Sequence, residues 1–209
     1  LLGRGRVVVV FFARTLHGSN VSLCVGLSAV AVSTFFGLTI GLMAGYNRLF
    51  DTIVMRFMDG IMAIPSILLA IALVSLTGAS VGIVIVAISI PEIPRVVRLV
   101  RSVVLTIREQ PYVEAAISVG ARLPKILLRH ILPNTLAPLI VQAPYVCASA
   151  MITEAILSFL GAGTPPDLPS WGNIIREGRQ YFQLAPWLLC LLHICRCRRR
   201  RRADNTRMQ

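Results

Sequence analysis

Three stretches of this chain carry no Asp, Glu, Lys or Arg: residues 15–47, 61–91 and 131–153. Each is long enough to supply the ~20 apolar residues that cross a bilayer as a helix. Charged residues normally make up about a quarter of a soluble domain. Here they make up 14%, against 56% hydrophobic residues. A core of this size cannot hide so much apolar surface, so the chain is read as an all-α integral membrane protein. Lipid permits few alternatives, because every backbone polar group in it must be satisfied internally.

The first span is expected at residues 21–46, where Gly26, Ser28, Ser33, Gly37, Gly41 and Gly45 give a helix-facing surface suited to close packing in lipid. The second is expected at 52–76. A single helix over 61–91 would be about 46 Å long, too long for a ~30 Å core, so the chain is expected to turn at residues 77–80. A third span follows at 81–100, interrupted by Pro91 and Pro94, and a fourth at 135–160. The apolar run 185–195 is short for a span. The expected architecture is therefore a polytopic helical bundle with about four to five spans.

Between residues 95 and 129 the chain carries Arg95, Arg98, Arg101, Arg108, Arg122, Lys125 and Arg129 against only Glu109 and Glu114. The positive-inside rule puts this stretch in the cytoplasm. Pro111 and Pro124 each suit the first turn of a short helix, which predicts helices at about 111–121 and 124–131. With this side fixed, the third helix runs inward, the second outward and the first inward. Residues 1–20 form an external N-terminal segment, and a further helix is expected upstream to carry it across. The loop 161–184 is then external and the tail 196–209 cytoplasmic.

The net charge of +12 divides between that loop and the tail, where seven arginines face one aspartate. Both flank apolar spans, so topology accounts for them and nucleic acid is not an expected partner. Cys24, Cys147 and Cys190 sit in apolar runs as small hydrophobes. Cys190, Cys195 and Cys197 with His193 match no zinc spacing and abut an arginine run, so no metal or other cofactor is expected. His17, His130 and His193 are scattered, and no Gly-rich Walker loop is present. ATP hydrolysis is expected elsewhere.

The informative segment is Glu114-Ala115-Ala116-Ile117-Ser118-Val119-Gly120, followed by Leu132-Pro133. It resembles the EAA loop of binding-protein-dependent ABC importer permeases, with His130 where that pattern has Ile. The run "EAAISVGARLPKILLRHILPNTLAPLIVQA" is similar to the dipeptide/oligopeptide/nickel branch. So are "AGYNRLFDTIVMRFMDGIMAIPSILLAIAL", "ITEAILSFLGAGTPPDLPSWGN" and "EGRQYFQLAPW", in the same order. The resemblance covers about residues 18–187. It implies an ABC permease domain over 21–195, with a coupling loop at about 101–133 whose short helices dock on a cytoplasmic ATPase. Glu114, Ala115, Ala116, Gly120, Leu132 and Pro133 are the coupling residues it implies. Small alanines suit a compact knob, Gly120 a sharp exit, and Glu114 the positive helix end.

The implied partners are a second permease subunit in a heterodimer, two cytoplasmic ATP-binding subunits, an extracellular or periplasmic solute-binding protein, and the lipid bilayer. The implied location is the bacterial inner (plasma) membrane, crossed several times. Among intramembrane acids, a functional hypothesis by default, Asp59 and Glu154 fall where the family often has an acid. They are candidates for lining the pathway or holding helices together, with pairing to Arg56 or Arg95 as the alternative. Glu92 receives no role.

Both ends depart from the family. Gly3-Arg4-Gly5-Arg6-Val7-Val8 stands where members carry an "LGRDV"-like segment, and after Leu188 a cysteine- and arginine-rich run replaces the expected last helix. A truncated or frameshifted, non-functional permease remnant is therefore the alternative reading. A self-contained transporter or channel is disfavoured by the EAA loop, and an arginine-tail module for polyanions or lipid is a further competitor.

Overall fold

No proline occurs before Pro65, and nothing in the first residues stops a helix once begun. Helix α1 accordingly runs from Leu2 to Tyr46 without a break, so the first span is continuous with the segment before it. The structure, a computed structural model, describes residues 2–78, 80–165 and 169–180, with the backbone alone at residues 2–12, 123 and 180. Asn47 ends α1 by leaving helical geometry (φ −104°, ψ 113°). Its side-chain oxygen accepts from the N–H groups of Leu49 and Phe50, at 3.0 and 3.4 Å, and so starts α2 (Arg48–Ala63).

The second span is not the single helix expected at 52–76. Ile64 is extended (φ −89°, ψ 128°) ahead of Pro65, as the clash with a following proline ring demands. A new helix, α3 (Ser66–Thr77), leaves at 87° to α2. The expected turn follows: Gly78 takes φ +90°, and Ser80 caps α4 (Val81–Arg108) by accepting from the N–H of Ile83.

Pro91 and Pro94 do not interrupt α4, contrary to expectation. Both are buried, so neighbouring helices keep the helix continuous, whereas Ile64 and Pro65 are exposed and nothing opposes the bend. Two short helices follow, α5 (Pro111–Ser118) and α6 (Leu123–Ile126). A π-helical turn (Leu127–Ile131) then feeds directly into α7 (Leu132–Leu160). The last described helix is α8 (Trp171–Gln180). The apolar run 185–195, the Cys/His cluster and the arginine tail lie outside the described residues.

Side-chain pairings fix the directions. Gly37, Gly41 and Gly45 of α1 meet Val96, Val100 and Val104 of α4 in matching order, so these two helices run parallel. A Cβ placed on Gly37, Gly41 or Gly45 would lie 2.5, 2.7 or 2.5 Å from valine side-chain carbons, so the groove exists only because side chains are absent. Gly26 meets Cys147 and Met151, and Ser22 meets Glu154, which makes α7 antiparallel to α1. Helix α3 returns beside the first half of α4, where Ala70 and Val74 share a core with Val84, Ala87 and Ile88. The result is an up-and-down bundle with the α1–α2 junction, α5 and α6 at one end. The α3–α4 turn and α8 lie at the other.

Among the described residues two helices are long and apolar enough to cross a membrane, Ala13–Tyr46 and Pro124–Leu160; the bent α2–α3 pair makes a third if it is one broken span. Helix α4 has 28 residues, about 42 Å, but carries Glu92, Arg95 and Arg98 within residues 81–98.

Candidate functional site

Helix α5 is short because both ends are specified. Gln110 is extended (φ −81°, ψ 141°), and Pro111 supplies a preset first-turn φ where no N–H partner is needed. Glu114 falls in the first turn, where its charge complements the unsatisfied N–H groups. At the far end Gly120 takes φ +82°. Its N–H donates to the carbonyl of Ile117 (2.9 Å), and the N–H of Ala121 donates back to that of Ala116 (3.0 Å). These two bonds define a Schellman motif with glycine at the left-handed position. Nothing lies within 4 Å of a Cβ at Gly120, so backbone conformation alone selects glycine there.

A single side chain roots this helix. Val113 is buried with Val104, Ile107, Ile126 and Ile131 at the base of α4 and α7. Asn134 ties α5 to α7, its amide donating to the Tyr112 hydroxyl (3.2 Å) and to the His130 carbonyl (2.7 Å). The Tyr112 and His130 rings also meet, tilted by 42° with centres 6.4 Å apart. Neither Val113 nor the Tyr112–Asn134 pair was singled out from sequence; an apolar position one residue before the EAA run was the available signal.

Glu114 and Ala115 point away from the bundle, whereas Ala116 is half-buried. Val119 is 89% exposed and Ile117 47%, so an apolar tip projects from the end of the molecule. Arg122, Lys125 and Arg129, which follow it in the chain, are exposed as well. Leu132 and Pro133 are helical, not loop, residues. They open α7, with Leu132 half-buried and Pro133 exposed in the first turn, and the expected loop residues 101–108 likewise belong to α4.

The acids separate widely. Asp59 pairs with Arg98 of α4 (2.5 Å), not with Arg56 or Arg95, and both partners are about half exposed. One helical turn away, Arg101 grips both oxygens of Asp51 through Nε and Nη2, the latter at 2.6 Å. Glu92, given no role from sequence, is buried, accepts from Ser149 Oγ at 2.8 Å and pairs with Arg95 at 3.1 Å. Its spacing of three residues from Arg95 was visible in sequence; Ser149, on another helix, was not. Glu154 lies near the opposite end of the bundle, fully buried among hydroxyl groups. Among the described residues no three His, Cys, Asp or Glu side chains are placed to hold a metal.

This helical arrangement is similar to a chain of the MetNI methionine ABC transporter in an inward-facing conformation. The TM-score is 0.58 at 22% identity, covering 88% of this chain and 92% of that one. The likeness defines the class of fold, a helical bundle arranged as in that chain. Residues 37–195 match the binding-protein-dependent transport system inner membrane component, and this chain belongs to that family. It is 57% identical over 184 residues to the probable peptide ABC transporter permease protein y4tQ of Sinorhizobium fredii, covering 88% of this chain and 63% of that protein. The dipeptide transport system permease protein DppC of Alkalihalophilus pseudofirmus is 44% identical, over 84% of this chain and 58% of that one. The glutathione transport system permease protein GsiD of Pectobacterium atrosepticum is 42% identical, over 84% and 58%. The chain thus spans less than two thirds of the length of these relatives.

Proposed function

We propose that this chain is the permease subunit of an ATP-driven importer for peptides or similar small solutes, and that α5 couples it to the ATPase. The observation that carries this reading is the exposed tip of α5. A helix of 8 residues is rooted by Val113, closed by Gly120 and crowned by Ile117 and Val119. Such a knob transmits displacement because its root and cap leave it little internal freedom. Its apolar crown calls for a protein groove, and exposed Glu114 for a basic partner within it.

In this reading two ATP-binding subunits sit at the α5 end, a second permease completes a heterodimer, and a solute-binding protein delivers cargo at the α8 end. The bundle crosses the bacterial inner membrane several times with its basic end in the cytoplasm. The relatives, which include proteins named as peptide, dipeptide and glutathione permeases, support the solute class. ATP is hydrolysed in the partner, and Asp59 holds α2 to α4.

Co-purification from membranes with the neighbouring ATP-binding subunits tests the reading. The native chain should retain them, and Glu114→Ala and Gly120→Asp should lose them while still inserting. A native chain that inserts but captures no ATPase would sink the proposal and leave the non-functional remnant in its place.

A further inference from the structure

Glu154 is 0% exposed, and among the described residues no Lys, Arg or His side chain lies within ion-pair distance of it. A carboxylate in that position persists only if hydrogen bonds replace its lost water. Two hydroxyls donate to it from different helices: Ser22 of α1 to Oε2 at 3.2 Å, and Ser158 of α7 to Oε1 at 2.7 Å. A third, Thr164 in the turn after α7, reaches Oε1 at 3.5 Å.

The network then spreads into the segment leading to α8. Thr164 donates through its N–H to Ser158 Oγ (3.2 Å) and through its hydroxyl to Ser170 Oγ (3.2 Å). Ser170 caps α8 by accepting from the N–H of Asn173 (3.3 Å), whose amide returns to the carbonyl of Pro165 (3.2 Å). The N–H of Trp171 reaches back to Ser22 Oγ at 3.5 Å. Close backbone approach accompanies these bonds: a Cβ on Gly172 would lie 2.5 Å from the carbonyl oxygen of Ala155. A second tie forms at the rim, where Arg14 of α1 donates two parallel bonds to Glu177 of α8 at 2.9 and 3.0 Å.

We infer that Glu154 is a positioning residue: it clasps α8 and the preceding turn to α1 and α7, so that these three elements move as one body during transport. The carboxylate is the shared acceptor for the hydroxyls of α1 and α7, and Ser158 Oγ in turn accepts the Thr164 N–H from the segment leading to α8. Removing the carboxylate takes the acceptor from Ser22 and the 2.7 Å acceptor from Ser158, whose hydroxyl is left with Thr164 Oγ1 at 3.2 Å. The clasp can be seen in the resting chain, while its part in transport rests on the function proposed above. Glu154 thereby serves packing at the α8 end of the bundle.

The test places cysteines at Arg14 and Glu177, in a chain whose five native cysteines are replaced by alanine, and treats membranes with a short bismaleimide. Cross-linking should be efficient at rest and fall to the level of single-cysteine controls when Glu154→Leu is added, with Glu154→Gln restoring most of it. In the assembled complex, the cross-linked chain should sustain ATP turnover within about twofold of the untreated chain, since no gating motion separates the tied elements. Cross-linking that is absent at rest, or unchanged by Glu154→Leu, would overturn the clasp. Cross-linking that stops turnover would overturn the single moving body. A complex with no ATPase bound fails the function proposed above, while the resting cross-link still judges the clasp.

Discussion

The groove between α1 and α4 and the exit from α5 both depend on glycine, for opposite reasons. In the groove Gly37, Gly41 and Gly45 sit in ordinary helical geometry, and what matters is the space their missing side chains leave for Val96, Val100 and Val104. At Gly120 there is open space on every side, and what matters is a φ of +82° that other residues reach only with strain. The first region makes a rigid body, and the second shapes a protruding handle on it. A substitution that damages one should leave the other nearly intact.

The sharpest way to break this comparison is Gly41→Leu. A Cβ alone at residue 41 would lie 2.7 Å from Val100 Cβ and 3.1 Å from the Val97 carbonyl, so a larger side chain must force the helices apart. The expected outcome is loss of folded, detergent-extractable protein, measured by size-exclusion chromatography. Gly41→Ala is milder, an overpacking of about 1–3 kcal/mol. Adding Val100→Ala should recover part of it in a thermal-unfolding assay, because it removes the Cγ1 that would lie 2.8 Å from the added Cβ, while Val100 Cβ stays. Recovery with no dependence on Val100 would argue against the groove.

Gly120→Ala should cost about 1–2 kcal/mol of strain at the cap, with Gly120→Asn milder because Asn tolerates the left-handed region. Thermal unfolding of the bundle should shift little in either, while ATPase capture falls in the order Gly, Asn, Ala. The smallest effect is expected for Asp59→Asn: its pair with Arg98 is about half exposed, and where that face meets water the loss is about 0–1 kcal/mol. A larger drop in thermal stability would mean that this pair does more than join α2 to α4.

Sequence made the helical bundle largely legible, since the charge-free runs coincide with most of α1, with α3 and the start of α4, and with α7. The helix-facing role of Gly37, Gly41 and Gly45 was readable too, because in lipid small residues have few other uses. Proline was where reading failed. Pro65 bends the chain through 87° while Pro91 and Pro94 leave α4 continuous, and the difference lies in burial by distant helices, which local sequence does not encode. The same limit applies to the acids. Glu154 stood out as an intramembrane carboxylate, but its partner Ser22 is 132 positions away. For α5, Pro111, Glu114 and Gly120 announced a short helix and its exit, because caps are local chemistry; its root at Val113 depended on tertiary packing.

The central claim is that the tip of α5 is a docking surface carried by a bundle that does not need it for folding. Val119 is the residue to probe, since at 89% exposure its replacement by cysteine disturbs no packing. Maleimide labelling of Val119→Cys should be rapid in the isolated chain and strongly suppressed once the ATP-binding subunits are bound. Equal labelling in both states would show that the tip stays in water and that coupling, if it occurs, runs through another surface.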